Sequence, residues 1–186
     1  GCRLIVVDDG STDGTAATAS AGLAGAPMPT RLLRQPPRGV SAARNAGVAA
    51  LDSAWIALLD SDGLWLPTKL ADQLAWIDAH PEGRLVQTGE RWVDGGRHRN
   101  PRAWHRKEEA LFARSLARCL VSPSAVMIRR DLWDEAGGFD EAFMLCEDYE
   151  LWLRLTRTER VGLVDAPLVV KRGGHPGQLS RSTWGL

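Results

Sequence analysis

Short β-branched apolar runs alternate with helical apolar stripes along this chain. Leu4 to Val7 is an unbroken apolar run, the pattern of a strand covered on both faces. Asp8 to Gly14 is loop by composition. Thr15 to Leu23 is Ala-rich and predicts a helix that Thr12 or Asp13 caps. Thr30 to Arg34 predicts a second strand, and Pro and Gly break Gln35 to Val40. Ser41 is read as the cap of a helix through Ala50, with Ala43, Ala46 and Ala50 on one face. Ala54 to Leu59 predicts another buried strand, which runs into Asp60-Ser61-Asp62-Gly63.

Pro67 suits the first turn of a helix to about His80, with Leu70, Leu74 and Ile77 as its apolar stripe. Leu85 to Val93 predicts a strand, and Asp94 to His105 an exposed loop or hairpin. A helix is expected over Lys107 to Cys119, a strand over Ser124 to Ile128, and a short helix over Arg130 to Ala136. Gly137 to Asp140 reads as a turn and Glu147 to Arg157 as a helix. Two short strands are expected at Val161 to Val164 and Leu168 to Lys171. Strands alternating with helices imply an α/β layer fold, which binds ligands at the carboxyl ends of its strands.

Composition narrows the function. Lys+Arg and Asp+Glu are both 23 in 186 residues, and that balance argues against a nucleic-acid partner. Cys2, Cys119 and Cys146 are far apart and odd in number, neither a disulfide framework nor a zinc motif. Reduced thiols point to a cytoplasmic setting. No apolar run approaches the roughly 18 residues of a transmembrane segment. Membrane contact stays open through an acceptor or through segments outside this chain. The chain opens almost directly on a buried-strand pattern, as though entering a fold already under way.

Four acidic or imidazole groups carry candidate chemistry. Asp60 and Asp62 are separated by one residue just past a buried strand. A hard divalent cation bridging to phosphate would relieve their repulsion, and Mg²⁺ or Mn²⁺ suits oxygen ligands. Alone, that spacing also fits a solvated loop. Asp8 and Asp9 end the first strand, where an acid can accept from a ribose or base, or simply form an Asx turn. Glu147 and Asp148 open an amphipathic helix, where the macrodipole favours acids and where a general base could stand. His175, between Gly173-Gly174 and Pro176-Gly177, is either solvated or a nitrogen ligand to the same metal.

Together these elements resemble family 2 glycosyltransferases. Arg3 to Thr15, with Asp8-Asp9-Gly10-Ser11-Thr12-Asp13-Gly14, is similar to that family's second-strand motif. Gly39-Val-Ser-Ala-Ala-Arg-Asn-Ala-Gly47 resembles its next signature, and Trp55 to Pro67 its D-x-D strand and loop. Gly137-Gly-Phe-Asp-Glu141, Glu147-Asp148 and Leu151-Trp-Leu-Arg154 resemble its acceptor-side motif. The resemblance runs from about Arg3 to Ser180, and Gly63 stands where many relatives carry a third Asp.

The resemblance implies a GT-A fold: a Rossmann-like mixed, mostly parallel sheet flanked by helices, here lacking the first strand and helix. A chain so cut is expected to expose strand edges and to be weakly stable or inactive. A single domain is implied, with residues 1–92 as the nucleotide-sugar half, 93–180 as the acceptor half and 181–186 as a tail. Asp9 would bind the nucleobase, most simply uracil, with Asp8 and Arg44 near the nucleotide. Asp60 would approach ribose or metal, Asp62 would ligate the metal, and His175 would complete it. Asp148 would be the general base, with Glu147 orienting it or contacting the acceptor. The implied partners are a UDP-sugar donor and a glycan, lipid-linked or other hydroxyl acceptor. The expected reaction is metal-dependent and inverting, with single addition, since no Gln-x-x-Arg-Trp motif of processive synthases occurs. Two other readings stay open. One is a non-catalytic nucleotide- or partner-binding module, and the other is a nucleotidyltransferase. Trp92, Trp104 and Trp184 are read as packing residues ahead of sugar platforms.

Overall fold

A computed structural model describes residues 1–99, 106–108 and 111–173. The chain divides into two units, Gly1–Ala54 with Gly137–Glu147, and Trp55–Ala136 with Asp148–Leu186.

In the first unit, β1 (Leu4–Asp8) and β2 (Thr30–Arg34) pair in parallel, with Leu4 opposite Thr30 and Asp8 opposite Arg34. The crossover helix α1 (Thr15–Ala24) joins them, as a parallel pair requires. Asp13 rather than Thr12 steadies its start, accepting a bond from the Thr15 amide at 2.9 Å, although Gly14 holds the N-cap position. Helix α2 (Val40–Ala49) packs on β1. It starts one residue before Ser41, with Gly39 at the N-cap, so Ser41 lies inside the helix. The buried residues are Ser41, Ala42 and Val48, not the expected Ala43–Ala46–Ala50 line. Alanines on several faces give the helix no dominant stripe, so its rotation follows what it packs against.

The second unit holds a six-stranded sheet. Its members are β3 (Trp55–Ala57), β4 (Gly63–Trp65), β5 (Leu85–Asp94), β6 (Arg97–Arg99), β7 (Val126–Arg129) and β8 (Gly162–Gly173). Their order is β3-β7-β5-β8-β4, with β6 paired to β5 as a hairpin. The fold is α/β with a mixed sheet, as expected. Among the described residues the two parallel ladders, β1–β2 and β5–β8, hold more of the paired residues than the four short antiparallel ones. Helices α3 (Lys69–Ala79), α4 (Phe112–Ser115), α5 (Arg130–Ala136) and α6 (Glu147–Thr156) complete the elements; Glu147 itself falls in the first unit. Leu85, Val86, Val126, Ile128, Leu151, Val161 and Val169 are wholly buried and form the core of the second unit.

Several boundaries differ from the sequence pattern. The third strand is three residues rather than six. The helix expected over Lys107 to Cys119 is a single turn, α4, while residues 106–108 are not helical. The two strands expected near the end are one strand, β8, because a local irregularity around Asp165–Pro167 carries the chain on along β5. Pro67 lies in the turn before α3, not in its first turn. Among the described residues no helix is long and apolar enough to cross a membrane.

Helix α3 departs most from its apolar pattern. Leu74 is 42% exposed, while Lys69 and Gln73 are fully buried. Lys69 Nζ donates to Gln73 Oε1 at 2.6 Å and lies 4.2 Å from the centre of the Trp65 ring. Gln73 Nε2 in turn donates to the Val86 and Ala125 carbonyls, both at 3.1 Å. The amide thus links α3 to β5 and to the turn before β7, and leaves its oxygen for the ammonium. Burial pushes the Lys69 ammonium down to about 7, an effect that the Trp65 ring partly opposes. The folded chain then holds this proton less tightly than the unfolded chain. The contribution of Lys69 to stability is therefore lowest at and below pH 7 and rises as pH climbs from about 7 towards the unfolded value of 10.5. Urea titrations between pH 7 and 9.5 should show this rise, at most about 1.4 kcal/mol per pH unit, and Lys69→Met should flatten it.

Candidate functional site

The strand-end acids of the first unit are bound within it. Asp8 accepts from the Ser11 amide at 3.0 Å and from Arg34 Nε at 2.9 Å. The Ser11 hydrogen bonds, then Arg34, hold its carboxyl below the ordinary range. Asp9 Oδ1 accepts from Gln35 Nε2 at 2.7 Å and the Arg38 amide at 3.0 Å, and Oδ2 from the Gly39 amide at 2.8 Å. Burial opposes its charge, but these donors hold its carboxyl low. Asp9 therefore fixes the loop that leads into α2.

Arg44 and Asn45 of α2 clasp the Gly137–Glu147 segment. Arg44 Nη1 meets Glu147 Oε1 at 2.7 Å, with 13% and 10% of the two side chains exposed, and its guanidinium lies 5.0 Å from the Phe139 ring centre. Asn45 donates to the Phe139 carbonyl at 2.9 Å and accepts from the Phe139 amide at 3.0 Å. The Arg-Asn pair thus acts across roughly a hundred residues of chain, a contact that no local pattern in the sequence reveals.

In the second unit, Asp60-Ser61-Asp62 forms a tight turn between β3 and β4, closed by the Gly63 amide on the Asp60 carbonyl at 2.9 Å. Ser124 pins it: its hydroxyl accepts from the Asp60 amide at 3.0 Å and donates to Asp60 Oδ2 at 3.1 Å. The Ser124 carbonyl accepts from Trp65 Nε1 at 2.7 Å. A side chain at Gly63 would press on Leu59 and the Asp60 carbonyl at 3.1–3.2 Å, so this turn has little room for a third Asp.

A cleft of about 420 Å³ opens on one face of β5 and β8. Glu90, Trp92 and Lys171 line it from the strands, and Lys107, Cys119 and Asp148 from around them. Glu90 and Trp92 are two residues apart and share a strand face. Lys107 Nζ stands 3.6 Å from Glu90 Oε2, and Trp92 Nε1 donates to the same oxygen at 3.2 Å. Burial works against the Glu90 charge, yet Lys107 and then Lys171 hold its carboxyl low. Burial lowers the Lys107 ammonium, with Glu90 opposing. Asp148 receives the Tyr149 amide on Oδ1 at 2.7 Å, and Cys119 Sγ lies 3.8 Å from Oδ2.

The expected residues thus separate. Asp148 lines a cleft; Asp60 and Asp62 share one turn; Asp8, Asp9, Arg44 and Glu147 hold their own unit together. His175, Trp104 and Trp184 lie outside the described residues. Among the described residues no three His, Cys, Asp or Glu side chains gather to hold a metal by themselves. Two carboxylates from one turn are still suitable donors for a hard cation whose other ligands are phosphate oxygens and water. Sequence reasoning missed Ser124, Glu90, Lys107 and Lys171. A charged Glu90 inside the strand expected over Leu85 to Val93 was the available signal, while Lys107 was obscured by its assignment to a helix. Trp92, read as packing, lines the cleft.

The profile of the family described as "Glycosyl transferase family 2" matches residues 1–136. A Haemophilus influenzae protein named "Uncharacterized glycosyltransferase" is 27% identical over 162 residues, covering 83% of this chain and 58% of that protein. The fold matches Staphylococcus aureus TarS, solved with UDP-GlcNAc, with a TM-score of 0.77 at 20% identity over 97% of this chain and 52% of that one. It also matches the mannosyltransferase PcManGT of Pyrobaculum calidifontis, solved with GDP-Man and Mn²⁺, with a TM-score of 0.68 at 19% identity over 95% and 48%. The fold is accordingly GT-A, and the chain spans about half the length of these proteins.

Two measurements test this geometry. Arg44→Ala leaves Glu147 buried without its partner and should lower unfolding free energy by roughly 3 kcal/mol in urea titration. The Cys119 thiol is pushed up to about 12 by burial and then by Asp148. All three thiols are exposed, so at pH 8 a thiol reagent should label Cys119 more slowly than Cys2 and Cys146 because less of it is ionised, and Asp148→Asn should speed Cys119.

Proposed function

The chain belongs to glycosyl transferase family 2, and from that premise we propose that the protein transfers a sugar from a UDP-sugar to an acceptor hydroxyl. The reaction uses a divalent cation, Mg²⁺ or Mn²⁺, and inverts the anomeric carbon. The observation that carries this reading is the placement of Asp148 in a cleft whose strand floor adjoins the Asp60–Gly63 turn through the pairing of Gly63 with Lys171.

Asp148 is the general base. It takes the proton of the acceptor hydroxyl as that oxygen bonds to the anomeric carbon. The bond from that carbon to the diphosphate oxygen breaks with its electron pair, from the opposite face. One displacement inverts the centre and needs no carboxylate nucleophile. Asp60 and Asp62, with His175 as the further ligand suggested by the sequence, would hold the cation, which would supply Lewis-acid stabilisation of the departing diphosphate. Ser124 positions Asp60 for this role. Trp92 offers an apolar ring to a sugar within the cleft. Asp9 reads the base edge only through the acceptor site that its loop leaves over on Oδ2, with Asp8 bracing the strand end. Arg44 and Glu147 fix the segment that precedes Asp148 in the chain. The acceptor is a glycan, a lipid-linked saccharide or another hydroxyl compound.

Calorimetric titration of UDP with Mn²⁺ and with EDTA tests the donor site. Binding should require metal and should weaken at least about tenfold in Asp62→Asn. Asp148→Asn should bind UDP as the wild type does while transfer falls about 10²- to 10⁴-fold. UDP binding indifferent to both EDTA and Asp62→Asn would sink the metal assignment. Intact binding with no transfer to any hydroxyl acceptor would favour the non-catalytic module.

A further inference from the structure

We propose that Lys171 is a phosphate-binding residue of the donor site, engaging an oxygen of the nucleoside diphosphate beside the Asp60–Gly63 turn. This rests on the reading above, in which that turn holds the donor diphosphate.

Strand register carries the argument. Lys171 of β8 stands opposite Gly63 of β4 on one side and opposite Trp92 of β5 on the other. Neighbouring strands lie about 4.8 Å apart, and paired residues present their side chains on the same face. Lys171 is therefore one strand away from the residue that follows Asp62. Glycine has no side chain, and the space a side chain would take at position 63 is filled by Leu59, the Asp60 carbonyl and the Ser124 hydroxyl, so the turn itself stands on that flank. On the other flank the ammonium lies 5.8 Å from the Trp92 ring centre, a contact that orients a cation without neutralising it.

The charges around the cleft point the same way. Three cations line it: Arg106, Lys107 and Lys171. Lys107 is committed to Glu90 at 3.6 Å and to the Leu120 carbonyl at 3.3 Å. Arg106 follows the undescribed residues 100–105. Lys171 is held on a strand and is exposed; among the described residues it makes no ion pair within 4 Å, although its charge, after that of Lys107, helps to hold the Glu90 carboxyl low. An ammonium so placed, between a carboxylate turn and a cleft containing a base, suits an anion that carries negative charge towards both. A diphosphate has that form, and its charge grows as the sugar–oxygen bond breaks. Lys171 would donate hydrogen bonds to it and exchange no proton. A phosphate on the acceptor is the other source of such an anion. The Gly63 pairing favours the donor, because it places Lys171 on the side of the Asp60–Gly63 turn.

The test compares Lys171→Met and Lys171→Arg with the wild type. UDP binding is measured by calorimetry with Mn²⁺, UMP binding by ligand-observed NMR, and folding by thermal melting. Lys171→Met should weaken UDP about ten- to hundredfold, leave UMP binding and melting nearly unchanged, and be largely rescued by Lys171→Arg. Equal UDP affinity in wild type and Lys171→Met would overturn the inference and leave the donor-site reading standing, with any loss confined to the KM of a phosphorylated acceptor placing Lys171 there instead. Parallel weakening of UDP and UMP together with a lowered melting temperature would also overturn it, as a structural effect. A folded wild type that binds neither nucleotide would sink the donor-site reading and this inference with it.

Discussion

The parallel ladder between β5 and β8 is the constraint on which the second unit depends. It runs from Val86 opposite Gly162 to Asp94 opposite Gly173, and its register shifts around Gly89. Before the shift Thr88 faces Val164; after it Glu90 faces Val169. Uninterrupted pairing from Val164 would have set Glu90 against Ala166 and Trp92 against Leu168, an apolar residue. The extra residues in β8 put Lys171 beside Trp92 instead and gather Glu90, Trp92 and Lys171 on the cleft floor. A bulge that re-aims side chains next to a binding surface is a recurrent use of this irregularity.

The acidic residues divide their labour according to what surrounds them. Asp8, Asp9 and Glu147 meet amides, a glutamine and arginines, and their charges hold loops and segments in place. Glu90 is buried against Lys107, where its cost of desolvation is met by a paired cation. Asp60 and Asp62 remain on a turn, and Asp148 lines the cleft. Like carboxylates thus take different places: some brace loops and segments, and others lie on a turn or at a cleft, where Asp60 accepts from the Ser124 hydroxyl and Asp148 from the Tyr149 amide.

Helix α3 shows how a core can override composition. Lys69 and Gln73 are buried where leucines were expected, because Gln73 satisfies two carbonyls from separate segments and gives its oxygen to the ammonium. A buried polar pair is tolerated when each group finds partners, and here the Trp65 ring completes the set.

The sequence by itself determined the alternation of strands and helices through most of the chain, the acids that follow strands, and the family, because periodicity, turn chemistry and motif spacing are local properties; β4 carried no such signal. β1, α1, β2 and α5 were legible to within a residue or two, since each has strong local signals and clear ends. Tertiary structure alone decided which face of α2 and α3 was buried, that β8 is one strand, and that Arg44 closes on Glu147. It also decided that Ser124 pins the Asp60 turn and that Lys171 lies between that turn and Trp92. Those outcomes depend on strand register and on contacts between distant segments, whose energies are set by neighbours that the linear pattern does not specify.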